Sequence, residues 1–439
     1  MHVQFRLDQT EYILAIFDST SGDSFGVDFV ISPELCIKCK GKLLCGLSKC
    51  PILEKQHSST KIVSSMVGTN FIGASPPGLF VSWQNYPKVA VAPLSALPSE
   101  VNELSDLPEK WYGTPQEKII SFRESLLRSY KTMPVSLASD PNYELLEFQE
   151  VAMSESLFEL EIKLTEKPRV ESSFDSFSAP LGPSAKLDKI QMIENPKIPK
   201  ELDYYTSDTD AKSNTALINL FEKGFPVSTL AKVLSSGALG VKKNRKIVPT
   251  RWSITAVDSN LSKYFIEEQL SQNKIIDSFK LFHSKYLDND FWVMLLPFAW
   301  SFEAIECWLP GGVWTKEATE YKVLSDHELN NWFKGYPEET EGAYFAARLA
   351  VSEYLQKEKR NAAAIVFREV GKDYAMPLGV WQIRENVRAA LKEKSLEFTS
   401  MDLALDFLSK KLTVPIEQYK KKSALITHFK SQTRLNQWF

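Results

Sequence analysis

The residues with the clearest chemistry stand between positions 36 and 50, where the chain reads CIKCKGKLLCGLSKC. Cys36, Cys39, Cys45 and Cys50 follow the spacing C-x2-C-x5-C-x4-C and are four of the five cysteines. Four thiolates so close in sequence can converge on one tetrahedral ion at little cost in loop closure. Gly41 and Gly46 supply tight turns, and Lys38, Lys40, Lys42 and Lys49 offset the charge of a tetrathiolate centre. The plain alternative is a set of free, merely clustered thiols. A reducing compartment disfavours disulfides, so the expectation is a structural Zn2+ ion with no open position. Pro51, next to Cys50, also suits an iron–sulfur cluster, although the spacing departs from the short ferredoxin run. Cys307, alone in FEAIECWLP, reads as a core residue.

The last residues read SQTRLNQWF. One helical or 3-10 turn places Leu435 beneath Trp438 and Phe439, an apolar plug with Gln432 beside it. Large apolar groups at a chain end have little to pack on and mark a binding surface. The plain alternative is a terminal helix folded back on the core. The pattern resembles the motif by which replication and repair proteins dock on the DNA polymerase sliding clamp, PCNA, and matches it at every defining position.

A third stretch, VKKNRKIVPTRW, gathers Lys242, Lys243, Arg245, Lys246 and Arg251 ahead of Trp252. Such cations can contact phosphates while the ring stacks on an unpaired base. A basic surface loop followed by a core tryptophan is the competing reading. Familiar catalytic signatures are absent: there is no G-x-x-x-x-G-K-[ST], no G-x-G-x-x-G and no H-E-x-x-H. A nuclease needs clustered carboxylates around a divalent metal. Asp258, Glu303 and Glu306 are the least implausible set, and a solvated face is the better reading for the two glutamates.

These groups must be positioned by elements whose periodicity is visible. LFELEIKL (157–164) alternates apolar and charged residues and predicts a half-buried strand. VMLLPF, AIECWL and AAAIVFREV predict strands buried on both faces. PQEKIISFRESLLRSY (115–130) has helical spacing, and GAYFAARLAVSEYL (342–355) reads as a buried helix. Residues 210–240 turn helical, with breaks near Gly224-Phe225-Pro226 and Gly237, whereas 167–200, rich in Pro and Ser, reads as a long irregular connection. Strands and helices mix without regular βαβ alternation, so the expected class is α+β with two domains, a small N-terminal zinc knuckle and a flexible C-terminal tail. The 439 residues exceed one ordinary core. No stretch is apolar enough to span a bilayer and the first residues do not look like a signal peptide, so the expected location is the cytoplasm. The net charge of −3 excludes a chain-wide basic stripe.

Five separated blocks, LCIKCKGKLLCGLSKCPI, GASPPGLFVSWQNYPKVAVAPL, GVKKNRKIVPTRWSITAVD, SFEAIECWLPGGVW and GAYFAARLAVSEYL, occur in the order found in the archaeal Nre family of DNA repair proteins, which the chain resembles over nearly its whole length. The resemblance implies DNA damage repair, a four-cysteine zinc finger at 36–51, an Nre N-terminal domain at 52–275, an Nre C-terminal domain at 276–420 and a clamp-binding tail at 421–439. Residues 1–35 look longer than the family usually has. The expected function is a repair factor recruited by the clamp with direct nucleic-acid contacts. Two alternatives stand: a clamp-tethered enzyme acting on DNA or nucleotides at an unrecognised site, and an adaptor joining the clamp to another repair protein.

Overall fold

The computed structural model describes residues 36, 39, 68–96, 101–169, 180–316, 318–329, 335–374 and 377–431. Its first sheet uses β1 (Asn70–Ser75), β2 (Leu79–Val81), β3 (Lys88–Ser95), β4 (Leu127–Pro134), β5 (Phe158–Leu164) and β6 (Ser184–Met192), with α1 (Gln116–Glu124) before β4 and α2 (Tyr143–Met153) after it. The order is β1-β5-β6-β4-β3-β2, and among these neighbours only β4 and β6 run parallel.

The sheet closes on itself. Ala74, in β1, and Ala96, just past β3, exchange backbone hydrogen bonds of 2.7 and 2.9 Å. β1 and β2 thus act as one strand bent at Pro76-Pro77, its first part paired with β5 and its second with β3. Proline has no N–H for the ladder, which suits it to the bend. Crossing there demands small residues: a Cβ on Gly78 would lie 2.9 Å from the Leu94 Cβ. The alternation predicted for LFELEIKL is found, with Phe158, Leu160, Ile162 and Leu164 buried and the residues between them exposed. α2 plugs the barrel, packing Leu145, Phe148 and Val151 into the same cluster as Val89, Val91 and Met133. With β1 and β2 taken as one bent strand, the cycle of strands, its parallel pair and the helix between β4 and β5 have the arrangement of an OB-fold barrel.

Two expectations need correction. Within the supposedly irregular 167–200, β6 is a strand that buries Leu187 and Ile190 between exposed Lys186, Asp188, Lys189 and Gln191, its register against β5 shifting at Lys163-Leu164. The helix predicted over 115–130 ends at Glu124, and Leu127 begins β4. Buried apolar residues at 126, 127 and 133 are claimed by the sheet, which overrides the local helical spacing.

A helical layer follows: α3 (Lys200–Ser207), α4 (Ser213–Glu222), α5 (Val227–Ser235) and α6 (Thr250–Tyr264). The predicted breaks are real, since Gly224 and Gly237 have φ of +91° and +75°, which L side chains rarely adopt. Leu217, Leu220, Leu230, Val233, Val257 and Leu261 form its core.

The second sheet contains β8 (Phe279–Tyr286), β9 (Asn289–Leu296), β10 (Phe302–Trp308) and β11 (Lys322–Glu328), which follow the short β7 (Lys274–Ile275). After α7 (Gly342–Glu358) and the short β12 (Arg360–Asn361), the sheet gains β13 (Ala363–Val370) and, beyond α8 (Trp381–Lys392), β14 (Leu396–Phe398). Its order is β11-β10-β13-β9-β8-β14. The apolar runs read as doubly buried strands are so: Val366 and Val293 face α7 and α8, while Ile365 and Met294 face α9 (Met401–Ser409), α10 (Ile416–Lys422) and α11 (Ala424–Ser431). The fold is therefore α+β, and the described residues all fall within one compact unit, Ser32–Phe439. Among them no helix is long and apolar enough to cross a membrane.

Candidate nucleic-acid interface

The turn joining β2 to β3 is short and carries large rings. Asn85 has a φ of +61°, a left-handed conformation that asparagine tolerates better than most residues, and its carbonyl accepts from Lys88 N at 2.9 Å. The turn so formed leaves Trp83 and Tyr86 38% and 48% exposed. Isolated apolar side chains on a surface need no explanation, but a cluster of them does.

The basic stretch is fastened to this turn by three hydrogen bonds. Ile247 N donates to the Val135 carbonyl at 2.9 Å, and Val135 N donates to the Pro87 carbonyl at 2.9 Å. Val81 N, at the end of β2, donates to Thr250 Oγ1 at 2.8 Å. The first turn of α6 therefore stands beside the β2–β3 turn. Trp252 meets Tyr86 edge to face, with centroids 5.2 Å apart and planes at 61°. The Arg251 guanidinium lies 5.1 Å from the Trp83 ring centroid, a cation–π geometry. Trp252 remains 43% exposed, so it is not the core tryptophan of the competing reading. Tyr336 is half exposed as well, and the Thr255 hydroxyl of the same helix donates to the Arg251 carbonyl at 3.1 Å.

The cations of the stretch divide into two kinds. Lys242, Lys243 and Lys246 are exposed. Arg245 is turned inward, its Nε on the Gly240 carbonyl and its Nη2 on the Asp208 carbonyl, each at 2.7 Å. Burial pulls its guanidinium below the usual range, against the pull of Asp208. It fixes the shape of the turn that the lysines decorate. Lys88, exposed at the start of β3, adds a cation beside Tyr86 that sequence reasoning did not single out. Trp83 and Tyr86 were missed as well. Their only local signal is the pair of rings in the turn SWQNYP.

The three carboxylates with the best case as a metal set are dispersed. Asp258 is fully buried with Arg384 Nη1 at 2.7 and 2.8 Å from its two oxygens. Burial still pushes its carboxyl up to about 6. Glu303 accepts from Ala424 N at 2.9 Å, Leu425 N at 3.1 Å and Ser325 Oγ at 2.7 Å. Glu306 pairs with Arg368 Nη1 at 2.5 Å. Residues three apart on a strand point to opposite faces, so the two glutamates serve different layers. Neither lies on a solvated face, since both are buried. Among the described residues no three His, Cys, Asp or Glu side chains gather so as to hold a metal.

Cys36 and Cys39 each have helical backbone conformation, and Cys39 is buried. Cys45 and Cys50 lie outside the described residues, as do Gln432, Leu435, Trp438 and Phe439. The chain leading to that last group is packed: Leu425, Ile426 and Phe429 of α11 sit in the core of the second sheet. Cys307 is buried in β10 as expected, and burial pushes its thiol up to about 12.

Comparison with known proteins adds the family context. The sequence profile described as Archaeal Nre, N-terminal, matches residues 44–315, and the one described as Archaeal Nre, C-terminal, matches 328–438. A DNA repair protein NreA of Archaeoglobus fulgidus is 36% identical over 404 residues, which cover 92% of this chain and 98% of that protein. DNA repair protein NreB of the same organism is 34% identical, covering 91% and 98%. DNA repair protein NreA of Haloferax volcanii is 35% identical over 366 residues, covering 82% and 87%. No solved structure matches the chain.

Proposed function

The chain belongs to the archaeal Nre family, and from that premise we propose that it is a DNA repair factor brought to DNA by the sliding clamp. Its own hold on DNA is the surface of Lys242, Lys243, Lys246, Arg251 and Trp252. The observation that carries this reading is the docking of the basic stretch against an aromatic turn, with Lys242, Lys243 and Lys246 exposed on the stretch and Trp83, Tyr86 and Trp252 exposed where the two meet. Relatives named as DNA repair proteins support the process.

Clamp docking is assigned to Gln432, Leu435, Trp438 and Phe439. This motif follows α11 directly, so it starts from a helix fixed in the core. A tether of this kind raises the concentration of the chain near DNA, so a net-acidic protein with one local cationic surface suffices. Cys36, Cys39, Cys45 and Cys50 are a donor set suited to zinc: four thiolates within fifteen residues of chain. Zinc there would hold its segment folded.

The test is binding of fluorescent DNA by the full chain across a salt series. Replacing Lys242, Lys243 and Lys246 together by Ala should weaken binding and flatten its salt dependence. Binding that survives the triple substitution with an unchanged salt slope would overturn the assignment of the surface.

A further inference from the structure

The surface around Trp252 is built for unpaired rather than paired DNA. We propose that the chain binds single-stranded DNA along one side of its β-barrel, with bases stacking on Trp83, Tyr86 and Trp252. The inference rests on the reading of that surface as the DNA contact and names the form of DNA it takes.

Three observations converge. First, the rings are available: Trp83, Tyr86 and Trp252 come from two segments distant in sequence, yet each keeps more than a third of its surface open. A cluster of exposed rings drawn from separate elements marks an interaction surface. Second, the rings have cations for chain neighbours that can meet the phosphates of a bound strand. Lys88 lies on one side of Tyr86 in the chain, and Lys246 and Arg251 flank the segment that leads into Trp252. Stacking needs a free base face, which a duplex does not offer along its length. Third, the rings sit on a particular part of a particular barrel. Trp83 and Tyr86 occupy the loop between the first two strands of the OB-type cycle, counting β1 and β2 as one. In that architecture this loop and the adjacent strand face contact extended oligonucleotides. Topology alone would not assign a function. Here the loop also carries the chemistry that the contact requires.

The neighbouring basic turn is held at the same end of the barrel. Ile247 N on the Val135 carbonyl holds it against the end of β4, so the lysines cannot drift from the rings. Of the outward-facing pairs of β3 and β4 near the loop, Lys88 and Pro134 are exposed, and the next pair is small, with Ala90 half-buried and Thr132 exposed. A strand of DNA can lie there without meeting a bulky wall.

The experiment measures fluorescence anisotropy of the full chain with a labelled oligo-dT, a blunt duplex of equal length and an RNA oligomer of equal length. The expected result is tighter binding of oligo-dT than of duplex or RNA, with quenching of tryptophan emission at saturation. W83A and Y86A should each lower oligo-dT affinity roughly tenfold or more, and by a clearly larger factor than they lower duplex affinity. W83F and Y86F should keep most of the affinity, and melting curves of all four variants should overlay that of the native chain. Native oligo-dT affinity in the alanine variants, unquenched tryptophan at saturation, or tighter binding of RNA would overturn the inference while leaving DNA contact intact. Failure of the native chain to bind either DNA would instead overturn the underlying reading of the surface.

Discussion

Glu303, in the second sheet, accepts the backbone N–H of Ala424 at 2.9 Å across 121 residues of sequence. It also accepts from Leu425 N, so one buried carboxylate satisfies two of the donors that α11 leaves unpaired at its start. Ser423 Oγ donates to the same carboxylate and in turn accepts from Ile426 N. The group is thus a fastening for the last packed helix, and its substitution has a definite signature. E303A should cost about 1–3 kcal/mol, the penalty for leaving buried donors unsatisfied. Urea unfolding would measure the loss, and hydrogen exchange should speed up first at Ala424 and Leu425. A metal-binding carboxylate would instead make stability or DNA binding depend on added divalent cations, which E303A should not change.

The tail makes a separable prediction. Removing Gln432–Phe439 should abolish capture of the chain by immobilised sliding clamp, while circular dichroism and the melting temperature stay as they were. The fold should be insensitive because the described core ends with Phe429, two residues before α11 stops at Ser431. Retained capture by the truncated chain would remove the motif as the docking element.

Within the basic stretch, Arg245 and the lysines should separate cleanly. R245A loses two hydrogen bonds to carbonyls and should cost about 1–3 kcal/mol of stability. Replacing an exposed lysine should leave stability alone but reduce the salt slope of single-strand binding by about 0.7 for each phosphate no longer neutralised. If R245A folds as the native chain does and shifts the slope instead, the guanidinium contacts DNA.

Metal content is checked directly. The purified chain should hold zinc in equimolar amount, and C45S or C50S should lose it, with a matching loss of protection from proteolysis around 36–51. Iron with a visible absorption band would replace zinc by the cluster alternative.

Asp258 gives a pH signature. Its carboxyl is raised to about 6 by burial, above the ordinary value near ~3.9. Between those values the folded state holds a proton that the unfolded chain has released. The stability from this group is therefore complete below about pH 4 and is lost as pH rises through about 6. The unfolding free energy of the native chain minus that of D258N should fall over this window, by up to about 3 kcal/mol at ~1.4 kcal/mol per unit. A flat or rising difference would show that Arg384 keeps the carboxylate ionised throughout.

Sequence periodicity reached some of this and not the rest, for physical reasons. β5 was legible because one of its faces is buried and the other wet. β10 and β13 were legible because every residue in them is buried. β6 was not, since five of its nine residues are polar and Pro and Ser crowd its flank. The α+β class emerged from composition and pattern, whereas closure of the barrel depends on Ala74 meeting Ala96, a pairing without a local signal. The basic stretch was visible as a run of charge. Its partners Trp83 and Tyr86 were not, because only the folded chain brings the turn of SWQNYP to Trp252. The glutamates misled because a strand of near-complete burial also carries charges that are neutralised by distant donors, and those donors lie far along the sequence.

The order of the second sheet has a consequence for how such a protein can evolve. β13, from the C-terminal family segment, is inserted between β10 and β9, which both come from the N-terminal one. A recombination event that exchanged one segment for that of a distant relative would replace the middle strand of a finished sheet while keeping both its neighbours. A break between the two segments would leave the second sheet without its middle strand, so these segments are expected to be inherited as a pair.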